Sequence, residues 1–359
     1  MPNFDAANLA LKTICPNNEL KMDDQEMPST MVFIPAFKLK DVLNTDSTDI
    51  HPAFRMNGKE IPGFWVGKYQ SKVYNGRAYS LPGEDPTVYK TMDNMVEYNK
   101  AKGAGWHEIT NAEWAAIALW CHKNGCEPYG NNNYGKDSRE TSYKAIPKSL
   151  DNGKTGRVAT GTGPVSWSHD GTLAGVYDMN GNVWEWCTGL RLVNGEVQII
   201  ADNNAADPGC DHSATSIEWK AIRASDGELI TPDGNGTTPG SVKLDWVASK
   251  WKYTTAITTK TSNSCYFKDV TADSGFGEKT MLLLKALALL PDTALVADNI
   301  DATYGGDYFY ANTNEAERCP LRGGNWYNGS PAGVFSLNLS NPRSNSASNV
   351  GGRSAFVEN

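Results

Sequence analysis

The chain has 359 residues, enough for one large domain or two ordinary ones, and its 33 Lys and Arg against 41 Asp and Glu leave a formal charge of −8. That acidity argues against nucleic acid as a partner, because neutralising phosphates needs clustered cations. Membrane insertion is excluded on length: the longest apolar run, Met281 to Leu290, is broken by Lys285 and stopped by Pro291, well short of the roughly 20 apolar residues that cross a bilayer.

Taken in chain order, Met1–Asp5 shows neither a basic nor an apolar leader region, so no secretory signal is expected. Residues 1–30 are polar apart from Leu9–Ile14 and read as an N-terminal arm that docks elsewhere. The β-branched and aromatic run Met31-Val32-Phe33-Ile34-Pro35 begins ordered structure as a strand, and Phe64–Gln70, after the turn Pro62-Gly63, is a second. A helix is expected over Met92–Lys102, stopped by Gly103. Another begins at Thr110 with Glu113 at capping-box spacing. Its Trp114, Ile117, Ala118 and Cys121 share one face. Residues 129–163 are rich in Asn, Gly, Lys and Ser and read as surface loops. The stretch of about 190–300, turn-rich with one helix near Glu278–Leu290, reads as an insertion within a domain spanning 31–359.

The seven cysteines contain one close pair, Cys121 and Cys126. Its spacing fits neither a redox CxxC nor a zinc knuckle, so free thiols are expected. Asn180-Gly181-Asn182 makes a tight turn into Val183-Trp184-Glu185-Trp186, with Trp184 and Trp186 on one face and Val183, Glu185 and Cys187 on the other. Two tryptophans in a core are one reading. A structural calcium held by oxygens of Asn182, Val183 and Glu185 is the other, since amide, carbonyl and carboxylate oxygens are what that ion takes.

The most informative segment follows Leu321. From Phe335 the chain alternates: Phe335, Leu337 and Leu339 point to a core, and Ser336, Asn338 and Ser340 point to water. Between Arg322 and Arg353 the one charged side chain is Arg343. Acid–base or nucleophilic catalysis needs a titratable group or an activated nucleophile, and the outward row has none. Its mixture of Tyr, Ser, Asn and Gly instead has the composition of an adaptable binding surface.

Gly-Asn-Val-Trp-Glu-Trp at 181–186, Arg-Gly-Gly-Asn-Trp at 322–326, Gly-Gly-Arg-Ser-Ala-Phe at 351–356 and the helix start Thr110-Asn111-Ala112-Glu113-Trp114 resemble the formylglycine-generating-enzyme type of C-type lectin fold. The resemblance spans roughly 31–190 and 300–359. It implies an α+β, C-type-lectin-like domain with short twisted sheets, two helices and a large insertion. Within that fold the frame Arg-Gly-Gly-x-Trp-x-x-Gly-x-x-Ala-Gly-Val-Phe-x-Leu-x-Leu-x-x-x-Arg-Ser, kept from Arg322 to Ser344, is similar to the variable region of diversity-generating retroelement target proteins.

That likeness implies a variable region at about 322–354, in which adenine-directed copying rewrites Asn (AAC) codons to Tyr, Ser, Pro, Asp, His and others, but not to Lys, Glu, Gln, Met or Trp. It assigns ligand binding to Asn325, Tyr327, Asn328, Ser330, Pro331, Ser336, Asn338, Ser340, Asn341 and Asn345, and a scaffold role to Arg322, Gly323, Gly324, Trp326, Phe335, Leu337 and Leu339. The implied partner is a host-cell surface protein or glycan. The implied location is a phage tail reached through the N-terminal arm, or otherwise a bacterial cell surface, with homo-oligomers as a further expectation. The alternatives are a formylglycine-generating-type oxidase homologue and a fixed-specificity carbohydrate-binding lectin. Against the oxidase, the positions nearest to that family's active-site cysteines are Asn328 and Gly333, which leaves copper without thiolate ligands. No cofactor is expected, apart from the candidate calcium.

Overall fold

In a computed structural model that describes residues 4–292 and 303–358, the helix starts follow the side-chain chemistry of their caps. Thr110 Oγ1 accepts from the Glu113 N–H at 3.1 Å and the Glu113 carboxylate accepts from the Thr110 N–H at 3.0 Å, which opens helix Asn111–Lys123. Thr91 and Asn94 make the same reciprocal cap before Met92–Lys100. This helix stops two residues before Lys102, whose buried ammonium donates to Ser29 Oγ at 2.9 Å and lies 3.1 Å from the Trp106 ring centre.

The chain is α+β, with three larger sheets. The first runs Asn18–Met22, Pro28–Pro35, Gly63–Gly67, Ser354–Phe356 and Trp106–Glu108 in spatial order. Ordered structure thus begins before Met31, and the expected 1–30 arm divides. Asn18–Met22 pairs antiparallel with Pro28–Pro35, whereas helix Asp5–Ile14 buries no residue and is tied on by Asn8 Oδ1, which accepts from the Leu20 N–H at 2.9 Å. The edge strand escaped the sequence reading because its middle residues are only half-buried, so polar Glu19 and Lys21 are tolerated there.

Strands Leu190–Val193, Glu196–Ile200, Trp219–Ile222, Leu229–Ile230, Lys243–Val247, Lys250–Thr254 and Thr271–Ala272 form a second sheet inside the 190–300 stretch. This stretch is an extension of the main core: Leu192, Ile199, Leu244, Tyr253 and Leu284 belong to the same apolar cluster as Trp114, Ile117 and Leu337. Its helix spans Glu278–Ala286, and the chain turns off afterwards through Ala288 at φ 49°.

The third sheet, in the order Ser262–Tyr266, Tyr308–Asn312, Leu337–Asn341, Cys319–Arg322, Trp184–Trp186 and Val350–Gly351, carries the alternating segment. Phe309, Ala311, Leu337 and Leu339 lie on its main-core side. Cys319, Leu321, Trp184, Trp186 and Val350 pack on the opposite side with Met92 and Met95.

A buried polar network joins the first sheet to the third. Arg353 Nε and Nη2 donate to the two oxygens of Glu185 at 2.7 and 2.8 Å, Nη1 donates to Gly67 O at 2.9 Å and Nη2 to Tyr177 O at 3.0 Å. Gln70 Nε2 adds a bond to Glu185 at 2.9 Å, and the Arg353 N–H donates to Glu108 at 3.1 Å. Burial holds the Glu108 carboxyl well above the usual range. Breaking a buried pair strands a charge, at a cost of about 3–5 kcal/mol, while replacing both partners with apolar groups is often tolerated. Arg353→Met is therefore expected to lose about that much in urea unfolding, and Arg353→Met/Glu185→Met to recover part of it. A double variant no more stable than the single one contradicts this account.

His51 gives a pH-dependent test. Its Nε2–H donates to Ala286 O at 2.7 Å and its Nδ1 accepts from the Ala53 N–H at 3.2 Å, a pairing that requires the neutral ring. Burial pushes its pKa down to about 4. A depressed histidine pKa contributes stability that is complete above the unfolded value near 6.5 and is lost as pH falls toward 4. The urea midpoint of His51→Gln is expected to fall less between pH 6.5 and 4.5 than that of the wild type. Parallel losses would contradict this role.

Candidate functional site

The segment from 322 to 353 is bolted at its start by a cation with no carboxylate partner among the described residues. Arg322 is fully buried. Its Nε and Nη2 donate to Asn111 Oδ1 at 3.0 and 2.8 Å, and Nη2 also reaches Leu287 O and Ala288 O, each at 3.2 Å. Those two carbonyls follow helix Glu278–Ala286, where the helix dipole favours positive charge. Burial nevertheless brings the Arg322 pKa down to about 10.

Beyond it the chain turns sharply. At Gly324 φ is +87°, and a Cβ would lie 2.4 Å from Ala332 Cβ, so a side chain is excluded. Trp326 is buried, its Nε1–H donating to Asp151 at 3.1 Å. Phe335 sits in an aromatic cluster, 5.2 Å from Phe267 and 4.9 Å from Tyr304 between ring centres. Of the scaffold residues, Arg322, Gly323, Gly324, Trp326, Phe335, Leu337 and Leu339 are all buried.

The residues assigned to ligand binding divide into three groups. Asn325, Tyr327, Asn328, Asn338, Asn341 and Asn345 converge on one open cleft of about 240 Å³, shared with Trp184, Tyr310, Leu321, Ala347, Asn349 and Val350. Tyr327 is 47% exposed, and its hydroxyl accepts from Asn349 Nδ2 at 2.8 Å. Ser340, half-buried, donates from its hydroxyl to Asn338 Oδ1 at 2.6 Å beside the cleft. Ser330 opens instead onto a separate hollow with Asp307 and Arg139, and Pro331 is half-buried, its carbonyl accepting from the Tyr308 N–H at 3.1 Å.

Two residues are corrections. Ser336 is fully buried and its hydroxyl donates to Pro331 O. The strand begins at Leu337 rather than Phe335, so strict alternation does not extend to Ser336. Asn325 is also fully buried, with Oδ1 accepting from the Tyr327 N–H at 3.0 Å. It folds the loop from below and presents no outward face.

The calcium expectation is overturned by its own oxygens. Asn182 Oδ1 accepts from Val158 N–H at 2.9 Å and Asn131 Nδ2 at 3.1 Å, Val183 O accepts from Gln70 at 3.1 Å, and Glu185 is paired with Arg353. The guanidinium supplies the positive charge that an ion would have brought. Among the described residues no group of three His, Cys, Asp or Glu side chains is placed to hold a metal. The cysteines are free thiols, and six of the seven are buried. At Gly333 a Cβ would lie 2.1 Å from Asp307 Oδ1, so the fold leaves no room for a cysteine there.

The sequence reading missed the aromatic border of the cleft. Tyr310 pairs with Asn338 across parallel strands. Tyr308 follows at 5.6 Å between ring centres and Tyr266 at a further 4.6 Å. The Tyr-Phe-Tyr alternation at 308–310 was the available signal. Tyr266, from the supposed insertion, had none, because only strand pairing brings it near.

No family model matches the chain, and no curated protein matches it. Among solved structures it is similar to the Major Tropism Determinant P3c variant, at 12% identity and a TM-score of 0.30 over 91% of this chain. It is also similar to Treponema denticola variable protein 1, at 12% identity and a TM-score of 0.32, covering 94% of this chain and 98% of that one. PvdO from Pseudomonas aeruginosa, at 12% identity and a TM-score of 0.29, covers 92% and 94%. The chain spans 62% of the length of the tropism determinant.

The corrected division of residues has a direct test. Asn338→Tyr is expected to change stability by no more than about 0.5 kcal/mol, as surface substitutions do. Ser336→Tyr forces a ring into filled space and is expected to cost at least about 1–3 kcal/mol. Equal urea midpoints for the two variants would contradict the assignment.

Proposed function

We propose that this chain is a non-catalytic binding protein whose C-terminal surface is diversified by a retroelement, and that it serves as a phage receptor-binding protein directed at a host-cell surface. The observation that carries this reading is the convergence of five assigned residues, Tyr327, Asn328, Asn338, Asn341 and Asn345, on one uncharged cleft. The side chains on the core side of the same sheet are sealed away from it. Outward residues there can change without touching the packing that keeps the chain folded. The retroelement frame from Arg322 to Ser344 supports the same reading.

Catalysis has little to work with. The cleft is lined by no His, Cys, Asp, Glu, Lys or Arg, so neither a general base nor an activated nucleophile faces it. Attachment to a tail or to sister copies is assigned to helix Asp5–Ile14, where Leu9 and Ile14 are exposed. Among the described residues no helix is long and apolar enough to cross a membrane. A single small cleft gives modest affinity, which display in several copies raises by avidity.

Sequencing the coding region across a population tests the proposal. Substitutions are expected at Tyr327, Asn328, Asn338, Ser340, Asn341 and Asn345, with Trp326, Phe335, Leu337 and Leu339 unchanged, and with a reverse transcriptase and an invariant template copy nearby. Identical codons at all of these positions in every isolate would overturn it.

A further inference from the structure

We infer that the cleft receives a neutral sugar residue, and that the tyrosine row Tyr310, Tyr308 and Tyr266 carries the next residues of the same glycan. This rests on the reading of the cleft as the binding surface and names its ligand class.

The amides around the cleft are only partly committed to one another. Asn325 is fully buried at the cleft, and its Nδ2 has no hydrogen-bond partner. That donor is sealed from solvent in this geometry, so the polar contacts of a ligand fall to the amides above it. Other amides around it are also uncommitted. Asn338 Oδ1 accepts from Ser340 N–H at 2.9 Å, and Asn328 Oδ1 accepts from Asn325 N–H at 2.8 Å. Their Nδ2 groups find no acceptor among the described residues, and the side chains of Asn341 and Asn345 make no hydrogen bond there. An amide both donates and accepts, which matches the hydroxyl groups of a sugar.

Charge excludes other classes. An anionic or cationic ligand would meet no counter-charge in the lining. The nearby Arg343 is already committed, at 3.0 Å to Glu317 and 2.6 Å to Asp93. The rings supply the remaining component of a sugar site. Trp184 and Tyr310 stand nearly perpendicular, 6.4 Å apart between centres. Trp184 is buried beneath the cleft, so the apolar face offered to C–H groups is that of half-buried Tyr310. The row continues past Tyr308 to Tyr266, which is 42% exposed, so the platform extends beyond one sugar ring. Because the oxygens of Asn182, Val183 and Glu185 are committed to protein partners, binding here needs no calcium.

The full chain should be tested on immobilised neutral oligosaccharides of hexose and N-acetylhexosamine, beside sialylated and sulfated ones, with and without EDTA. Retention on a neutral subset, insensitive to EDTA and at least tenfold weaker in Tyr310→Ala and in Asn338→Ala/Asn341→Ala, is the expected result. Retention on anionic glycans alone, on none of the array, or undiminished in both variants overturns the inference. Host cells that adsorb the wild-type chain separate the two levels. Adsorption abolished by protease but not by periodate makes the partner a protein, which removes the glycan and leaves the binding surface standing. Full adsorption by Tyr310→Ala/Asn338→Ala/Asn341→Ala removes both.

Discussion

The buried pairing of Arg353 with Glu185 is the constraint on which the rest of the molecule depends. It fixes the end of the alternating segment, and its partners lie on two different sheets: Gly67 and Glu108 on the first, Glu185 on the third. Arg322 performs the matching task at the other end, using carbonyl and amide oxygens rather than a carboxylate. Charges taken out of water are expensive to misplace, so each arginine defines one acceptable path for the chain. Between these two fixed points, the loop 325–333 is shaped by its own buried Asn325 and Trp326, and its outward residues run over that foundation.

That arrangement accounts for the chemistry of the open face. Titratable groups are plentiful in the molecule but are kept inside it, as Glu108 and Asp307 are, both held well above the usual carboxylate range mainly by burial. The exposed face keeps amides, hydroxyls and rings. Such a face recognises shape and hydrogen-bond pattern rather than charge, and salt screens it little because few of its contacts are ionic.

Much of this was legible in the sequence where a local rule applied. Thr110 and Glu113 announced their helix through capping chemistry, and Leu337 and Leu339 showed their inward direction by period-two spacing. Ser336 was misread because the pattern was carried one residue past the start of the strand. Asn325 was misread because a polar side chain can be buried to shape a loop as readily as exposed to meet a ligand. The oxygens near Glu185 resembled an ion site since the sequence cannot show that an arginine from the far end of the chain has taken them. Tyr266 went unnoticed for a similar reason, since strand order alone sets it beside Tyr308 and leaves no trace in residue spacing.

The buried positions of Asn325 and Ser336 limit what a codon-rewriting process can achieve on this scaffold. Random exchange at a sealed position sends much of the resulting library to misfolding before any copy meets a target, so usable diversity is smaller than the number of alterable codons implies. Under the proposed diversification, a copying template that holds those two codons constant would lose fewer variants to misfolding, giving selection a reason to sculpt the template as well as the protein.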